Sequence, residues 1–304
     1  MYTDPLLVKI VREQDPMPQI VDYVISQLEP TVDLSDLTSS YGRIEEWLQS
    51  FEEWLHDAWG LGFYRCLASA DHGWALQKAL QKAAEIDANV LVCDGFSIRE
   101  LLTLKKKIGD KFTYTIERAP APTTTQNVAM KIFGSPTLKD FFRGETHYEG
   151  HVWRSEVITD ILSPPRIGSG RGHLLLTQYP DTPLHGARSH RTTQVQDVSK
   201  VIGQLLDLIE SMSLNAPLVV TGDHGYIYLG TNPSKYFWGS APKRQERFGG
   251  EYGDNCIETE GADGRVKVAV GRIHVNVVQG SNTFITHGGI SLTESTVPIV
   301  TIGA

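Results

Sequence analysis

Pro217-Leu218-Val219-Val220-Thr221-Gly222-Asp223-His224-Gly225 runs from an apolar stretch into an adjacent Asp and His, with glycine on each side. Such a run reads as a buried strand whose carboxyl end delivers two metal-type ligands. Backbone without Cβ turns sharply and approaches an ion or a phosphate closely, which gives the flanking glycines their use. Asp supplies a hard oxygen and His a borderline nitrogen, a mixture that suits Zn²⁺ or Mn²⁺. Taken alone, an Asp-His-Gly segment is more often just a turn. Here the metal reading gains weight because ligand-type residues recur at strand ends elsewhere.

Upstream, Val90-Leu91-Val92-Cys93 is a short apolar run that stops at Asp94-Gly95, and Ser97 can cap a helix from Ile98 to about Lys107. Phe112 to Ile116 is a β-branched, alternating strand. Ala119-Pro120-Ala121-Pro122 ends it, and Thr123-Thr124-Thr125 leads into a helix from about Gln126 to Phe133. One of the three hydroxyls is explained by N-capping; another could act as a metal-bound alkoxide. His173 to Thr177 is a further buried strand, followed by Asp181 and His185 four residues apart. Arg188, His190 and Arg191 come next, then an amphipathic helix from about Thr193 to Met212. Downstream, His287-Gly288-Gly289-Ile290-Ser291 precedes a last strand, Val297 to Ile302. Strand, turn and helix alternate from residue 89, which predicts an α/β domain over 86–304 with a mainly parallel sheet flanked by helices. Ligands of such sheets collect at the carboxyl ends of the strands.

Residues 1–85 lean to helix. Ile44, Trp47, Leu48, Phe51, Trp54, Leu55 and Trp59 fall on one helical face, a packing face toward the main domain or a protein partner rather than a ligand box. His72 reads as a helix-entry residue, and Ala75 to Ile86 as a second helix. Residues 134–172 read as a polar, helical excursion, with His147 and His151 exposed rather than ligating. Residues 226–280 lack the βα rhythm and suggest a cap insertion. In that insertion Lys243, Arg244 and Arg247 lie near Tyr236, Phe237 and Trp238, and Val266–Val270 with Ile273–Val278 suggests a hairpin about Gly271.

Composition bounds the rest. The chain has 304 residues, 40% of them hydrophobic, and a formal net charge of −8. That charge argues against non-specific binding to duplex DNA. Cys66, Cys93 and Cys256 are odd in number and widely spaced, which points to a reduced, cytoplasmic protein. The first residues lack a secretory leader, and no apolar run approaches the roughly 20 residues of a membrane helix.

Collected from strand and turn ends, Asp94, Thr125, Asp181, His185, Asp223, His224 and His287 suffice for two metal ions. The motifs and their order resemble the alkaline phosphatase superfamily and, within it, the PglZ domain branch. Carrying the resemblance are Val90 to Gly95 with Ser97 and Arg99, Pro122 to Thr125, the Asp181/His185 pair, Thr221 to Gly225, and His287 to Ser291 with Val297-Pro298. They span about residues 88–304. The resemblance implies an alkaline-phosphatase-like sheet and one zinc held by Asp181, His185 and His287. A second zinc would be held by Asp94, Asp223 and His224, with Thr125 as nucleophile and bridging ligand; Thr123 and Thr124 compete for that role. It implies a metal-dependent phosphoric-ester hydrolase, a phosphodiesterase acting on nucleotides or oligonucleotides, as in phage-defence components and response-regulator effectors. Residues 1–85 carry no strand-ending acidic cluster of a receiver domain. Arg188, Arg191, Lys243 or Arg244 would meet the phosphate oxygens. The competing expectation is a metal-binding scaffold subunit with little chemistry, its partner docked on the N-terminal helices. A sulfatase is disfavoured, because Thr124-Thr125-Gln126 lacks a Cys/Ser-x-Pro-x-Arg setting.

Overall fold

The computed structural model describes residues 13, 15–69, 73–165, 172–185, 197–214, 216–230, 239–240, 246–274 and 285–303. His72, Arg188, His190, Arg191, Tyr236 to Trp238, Lys243 and Arg244 lie outside the described residues.

Among the described residues the first helices are α1 (Met17–Leu28), α2 (Leu37–Trp59), α3 (Leu61–Ala68) and α4 (Ala75–Ile86). Asp36 caps α2 by accepting from Ser39 N–H. Strand β1 (Asn89–Asp94) feeds α5 (Ile98–Ile108), which Ser97 caps reciprocally with Glu100. Next come β2 (Phe112–Arg118), α6 (Thr125–Phe133), α7 (Leu138–Phe141), β3 (Gly144–Tyr148) and β4 (His151–Ile158). Strand β5 (His173–Pro180) runs directly into the short helix α8 (Asp181–His185), and α9 (Val198–Ser213) precedes β6 (Leu218–Gly222). The pairs β7 (Ile227–Tyr228), β8 (Gly239–Ser240), β9 (Cys256–Gly261), β10 (Gly264–Ala269), β11 (Ile273–His274) and β12 (Ile285–Thr286) are peripheral. Helix α10 (Leu292–Ser295) then leads into β13 (Thr296–Ile302).

The central sheet has seven strands in the order β2-β13-β6-β1-β5-β4-β3. Strands β6, β1, β5 and β4 are mutually parallel; β13 is antiparallel to both of its neighbours, and β3 is antiparallel to β4. Alternate residues of each strand serve opposite faces. Leu91, Cys93, Leu175, Leu218, Val220 and Val300 pack with α1, α2, α5 and α9. Val90, Val92, Leu174, Leu176, Val219 and Ile299 pack with α4 and α6. The result is a three-layer α/β/α arrangement with a mainly parallel sheet. Apolar cover on both faces explains why β1 and β6 read as unbroken apolar runs. Each such side chain contributes roughly 1.5–3 kcal/mol by leaving water.

The N-terminal aromatics stack within the fold. Trp47 and Trp54 lie 4.8 Å and 5.7 Å from Phe51, while Trp59 is 37% exposed. Glu45 and Glu52 of α2 are fully buried and paired to cations far away in sequence: Arg99 of α5, 2.6 Å from Glu45, and Arg272, 3.1 Å from Glu52.

Two expectations need correction. Residues 144–158 form a β-hairpin, not a helix, and extend the sheet. Glu149 and Gly150 both take positive φ, the two-residue turn that matches strand twist. His147 and His151 therefore face each other's strands across a tight turn, not one helical face. Of the other expected hairpin, residues 275–278 lie outside the described residues, and the described part pairs elsewhere. Val266 belongs to β10, which pairs with β9 across Ala262-Asp263, whereas Ile273-His274 runs parallel to Gly239-Ser240. Arg272 is drawn inward by Glu45 and Glu52, so Gly271 marks a plunge into the core rather than a hairpin turn.

Candidate metal centre

Three neighbouring parallel strands, β6, β1 and β5, end side by side, and each delivers ligand-type residues at its carboxyl end. Strand β1 ends on Asp94, whose register slips by a bulge to face Pro180. One residue later in chain order, Asp181 opens α8 and His185 closes it, so the pair shares one helical face. Beyond β6 come Asp223 and His224. His287 arrives on the turn after β12.

These six residues form two groups, Asp94/Asp223/His224 and Asp181/His185/His287, each with ligand atoms within 4.8 Å of one another. The groups adjoin: the rings of His224 and His287 stack with centroids 4.3 Å apart, and His185 meets His287 edge-on at 5.3 Å. In the first group His224 Nε2 lies 3.6 Å from both Asp94 Oδ1 and Asp223 Oδ2. In the second, Asp181 Oδ1 lies 3.2 Å from His287 Nε2 and 3.7 Å from His185 Nδ1.

Thr125 completes the set. Its hydroxyl lies 3.3 Å from Asp94 Oδ1 and 3.4 Å from His224 Nε2. Its two neighbours are otherwise engaged. Thr123 is buried; its hydroxyl donates to Gly289 O at 2.8 Å and accepts from Gly288 N–H at 3.1 Å. Thr124 caps α6 by accepting from Asn127 N–H at 3.2 Å. Only the Thr125 hydroxyl of the three faces the ligand groups.

Backbone contacts fix the histidine tautomers. His224 Nδ1 lies 2.9 Å from Gly225 O, and His287 Nδ1 lies 3.2 Å from Thr123 O. A ring nitrogen facing a carbonyl carries the hydrogen, which turns each Nε2 toward the centre; at His287 a cation would displace the Nε2 proton that Asp181 holds. Asp223 Oδ1 accepts from Gly95 N–H and His224 N–H, but the buried Oδ2 has no hydrogen-bond partner. A buried carboxylate oxygen without a hydrogen-bond partner, facing an imidazole lone pair, fits a cation.

Electrostatics point the same way. Burial, then the negative charges of Asp181 and Asp223, push the Asp94 carboxyl well above its ordinary range. Burial drives His224 below its usual value. At Asp181 burial opposes ionisation, but His287 and His185 outweigh it and hold the carboxyl far below the usual range. Burial likewise opposes the His287 imidazolium, yet Asp181 keeps it up at about 9. Three carboxylates crowd one water-poor place, which divalent cations would neutralise.

The glycines of both motifs are steric requirements. A Cβ on Gly225 would sit 2.0 Å from Thr293 O, and one on Gly289 would sit 2.3 Å from Arg247 Nη2. These contacts expose residues that the motifs do not announce. Arg247 is buried and grips Glu294, so it is not an anion binder. Glu294 sits in a Ser291-x-x-Glu294 helix entry, which hides its second task. Nothing local in the sequence links it to Arg247, 47 residues away. Neither His147 nor His151 belongs to a ligand group among the described residues.

No family model matches the chain, and no curated protein is similar to it. Among the described residues, no helix is long and apolar enough to cross a membrane.

Proposed function

We propose that this chain is a two-metal phosphoric-ester hydrolase similar to the PglZ branch of the alkaline phosphatase superfamily, with Thr125 as nucleophile. The observation that carries this reading is the position of Thr125 Oγ1, hydrogen-bonded to Asp94 beside two adjoining Asp/His groups. Zinc, or manganese, bound by the two groups would neutralise phosphoryl charge and lower the hydroxyl's pKa. The protein's own part is positioning. Asp94 Oδ1 accepts the Thr125 hydrogen and aims Oγ1, and the start of α6 places backbone N–H groups beside it. Thr125 Oγ1 attacks phosphorus as the bond to the leaving oxygen breaks, and the leaving oxygen takes up a proton. Water then cleaves the phospho-threonine and restores the hydroxyl.

A phosphodiester of nucleotide type and a setting in phage defence follow from the resemblance alone. Three free cysteines support a reducing, cytoplasmic environment. Turnover of bis(4-nitrophenyl) phosphate by protein loaded with Zn²⁺ or Mn²⁺ tests the reading. Metal-loaded protein that hydrolyses nothing would favour a scaffold role.

A further inference from the structure

We infer that Tyr226 is a positioning residue for the Asp94/Asp223/His224 group: it locks the turn after β6 to the turn after β1, and helix α2 holds that lock. The inference rests on the metal-binding part of the reading above and adds to it how the N-terminal helices reach the site.

All three ligands of this group lie at the ends of β1 and β6, so their spacing depends on how two turns sit against each other. The turns touch directly. Gly95 N–H donates to Asp223 Oδ1 at 3.2 Å, and a Cβ on Gly222 would sit 2.8 Å from Phe96 N. Tyr226 follows soon after His224 and is fully buried. It adds further ties. Its carbonyl accepts from Arg99 Nη2, and its hydroxyl donates to Glu100 Oε1. Its ring centroid lies 4.3 Å from the Arg99 guanidinium carbon. The same ring comes within 3.4 Å of the place a Cβ on Gly95 would occupy. Arg99 and Glu100 stand in the first turn of α5, directly after the β1 turn. One residue thus joins both halves of the ligand group.

Helix α2 grips the same two partners. Glu45 Oε2 accepts from Arg99 Nη1 at 2.6 Å, and the Tyr41 hydroxyl donates to Glu100 Oε1 at 2.8 Å. Tyr41, Glu45, Arg99 and Glu100 are all fully buried. Stability alone does not account for them. Drying a buried ion pair costs about as much as its attraction returns, and apolar side chains of like volume hold a core as well. What the pair supplies is direction. The guanidinium fork fixes two acceptors at set angles, here the Glu45 carboxylate on α2 and the Tyr226 carbonyl beyond the Asp-His corner. A metal site needs that direction, because partners outside the ligand set hold the ligands in place.

Arg99→Lys keeps the charge beside Glu45 and loses the fork. The test places it in two backgrounds of the full chain. His287→Ala leaves the Asp94/Asp223/His224 group to bind zinc, and Asp223→Asn leaves the other group. Zinc affinity, read by competition with a chromogenic chelator, should fall roughly 10–100-fold in the first background and change little in the second. Tyr226→Phe keeps the ring and removes the hydroxyl. It should show the same one-sided fall, which repeats the test should Arg99→Lys fold poorly. Equal losses in both backgrounds mark a general loosening of the fold and overturn the inference. So does unchanged affinity in the first background for both variants. A wild type that binds no zinc removes the metal reading itself, a result distinct from two bound ions with no one-sided loss.

Discussion

Arg247 holds Glu294 through two hydrogen bonds, Nε to Oε1 and Nη2 to Oε2, each 2.7 Å long. Both residues are buried. Glu294 Oε1 also accepts from Gly289 N–H at 2.9 Å, and the Glu294 carbonyl accepts from Gly225 N–H at 2.9 Å. One residue thus braces the turn that follows His287 and the turn that follows His224. Arg247 ties that brace to Gly271 and Ile273 through their carbonyls.

Weakening this brace should loosen metal, and removing its cation should also cost fold stability. Glu294→Gln keeps an acceptor for Gly289 but loses the charge. It should lower metal affinity roughly 10–100-fold, as outer partners of ligands do. Competition with a chromogenic chelator measures it. Wild-type affinity in the variant would leave Glu294 a packing residue. Arg247→Ala strands a buried carboxylate and should cost about 3–5 kcal/mol by urea titration.

Each ligand group should hold one ion. Asp223→Asn and His287→Ala should each lower the zinc content by one equivalent, read by mass spectrometry on the intact protein. Each should also reduce the gain in melting temperature on adding zinc, because a bound ion favours the folded state. Full occupancy in both variants would refute the assignments.

Thr125→Ala should separate chemistry from structure. Turnover of bis(4-nitrophenyl) phosphate should fall by roughly 100-fold or more, the order expected when a nucleophile is lost. The melting temperature and the zinc content should change little. Thr123→Ala should do the reverse, because its hydroxyl joins the Gly288 and Gly289 backbone. Equal turnover in Thr125→Ala and wild type would end the nucleophile assignment.

Buried Glu52 of α2 predicts a pH dependence. Burial raises Glu52 from its ordinary 4.5 to about 7, although Arg272 and the Leu292 N–H pull the other way. Below the unfolded value both states hold the proton. Between about 4.5 and 7 the folded state keeps it and the unfolded state has lost it, so stability falls as pH rises. The fall is on the order of 3 kcal/mol, and above the folded value it levels off. Glu52→Gln should flatten this stretch of the urea-midpoint profile. A slope equal to that of wild type would point to another group.

What the sequence showed and what it hid divide along physical lines. β1 and β6 are legible because a strand covered on both faces must be apolar throughout, and their ends stand out as Asp94 and as Asp223-His224. Asp181 and His185 are legible because α8 starts where β5 stops. The β3–β4 hairpin is not, because its edge position lets polar residues alternate outward and dilutes the strand signal. Its Glu149-Gly150 turn is also a weaker signal than Asn-Gly. Glu45, Glu52, Arg99 and Arg272 look like solvated surface in a one-dimensional reading. Only the fold brings opposite charges across more than 200 residues, as between Arg272 and Glu45. A separation of 47 residues likewise hides the pairing of Arg247 with Glu294. The choice among Thr123, Thr124 and Thr125 likewise needed coordinates, because three adjacent hydroxyls differ only in where the backbone points them.

Strand β13 pairs with β2 on one side and with β6 on the other. During synthesis on the ribosome, β2 has no partner in this sheet until residues near 300 emerge. Until then the open edge of β6 lies bare beside the waiting Asp-His corner. Such an intermediate would present an unpaired strand edge and uncovered apolar surface, the features that favour aggregation before the last strand docks.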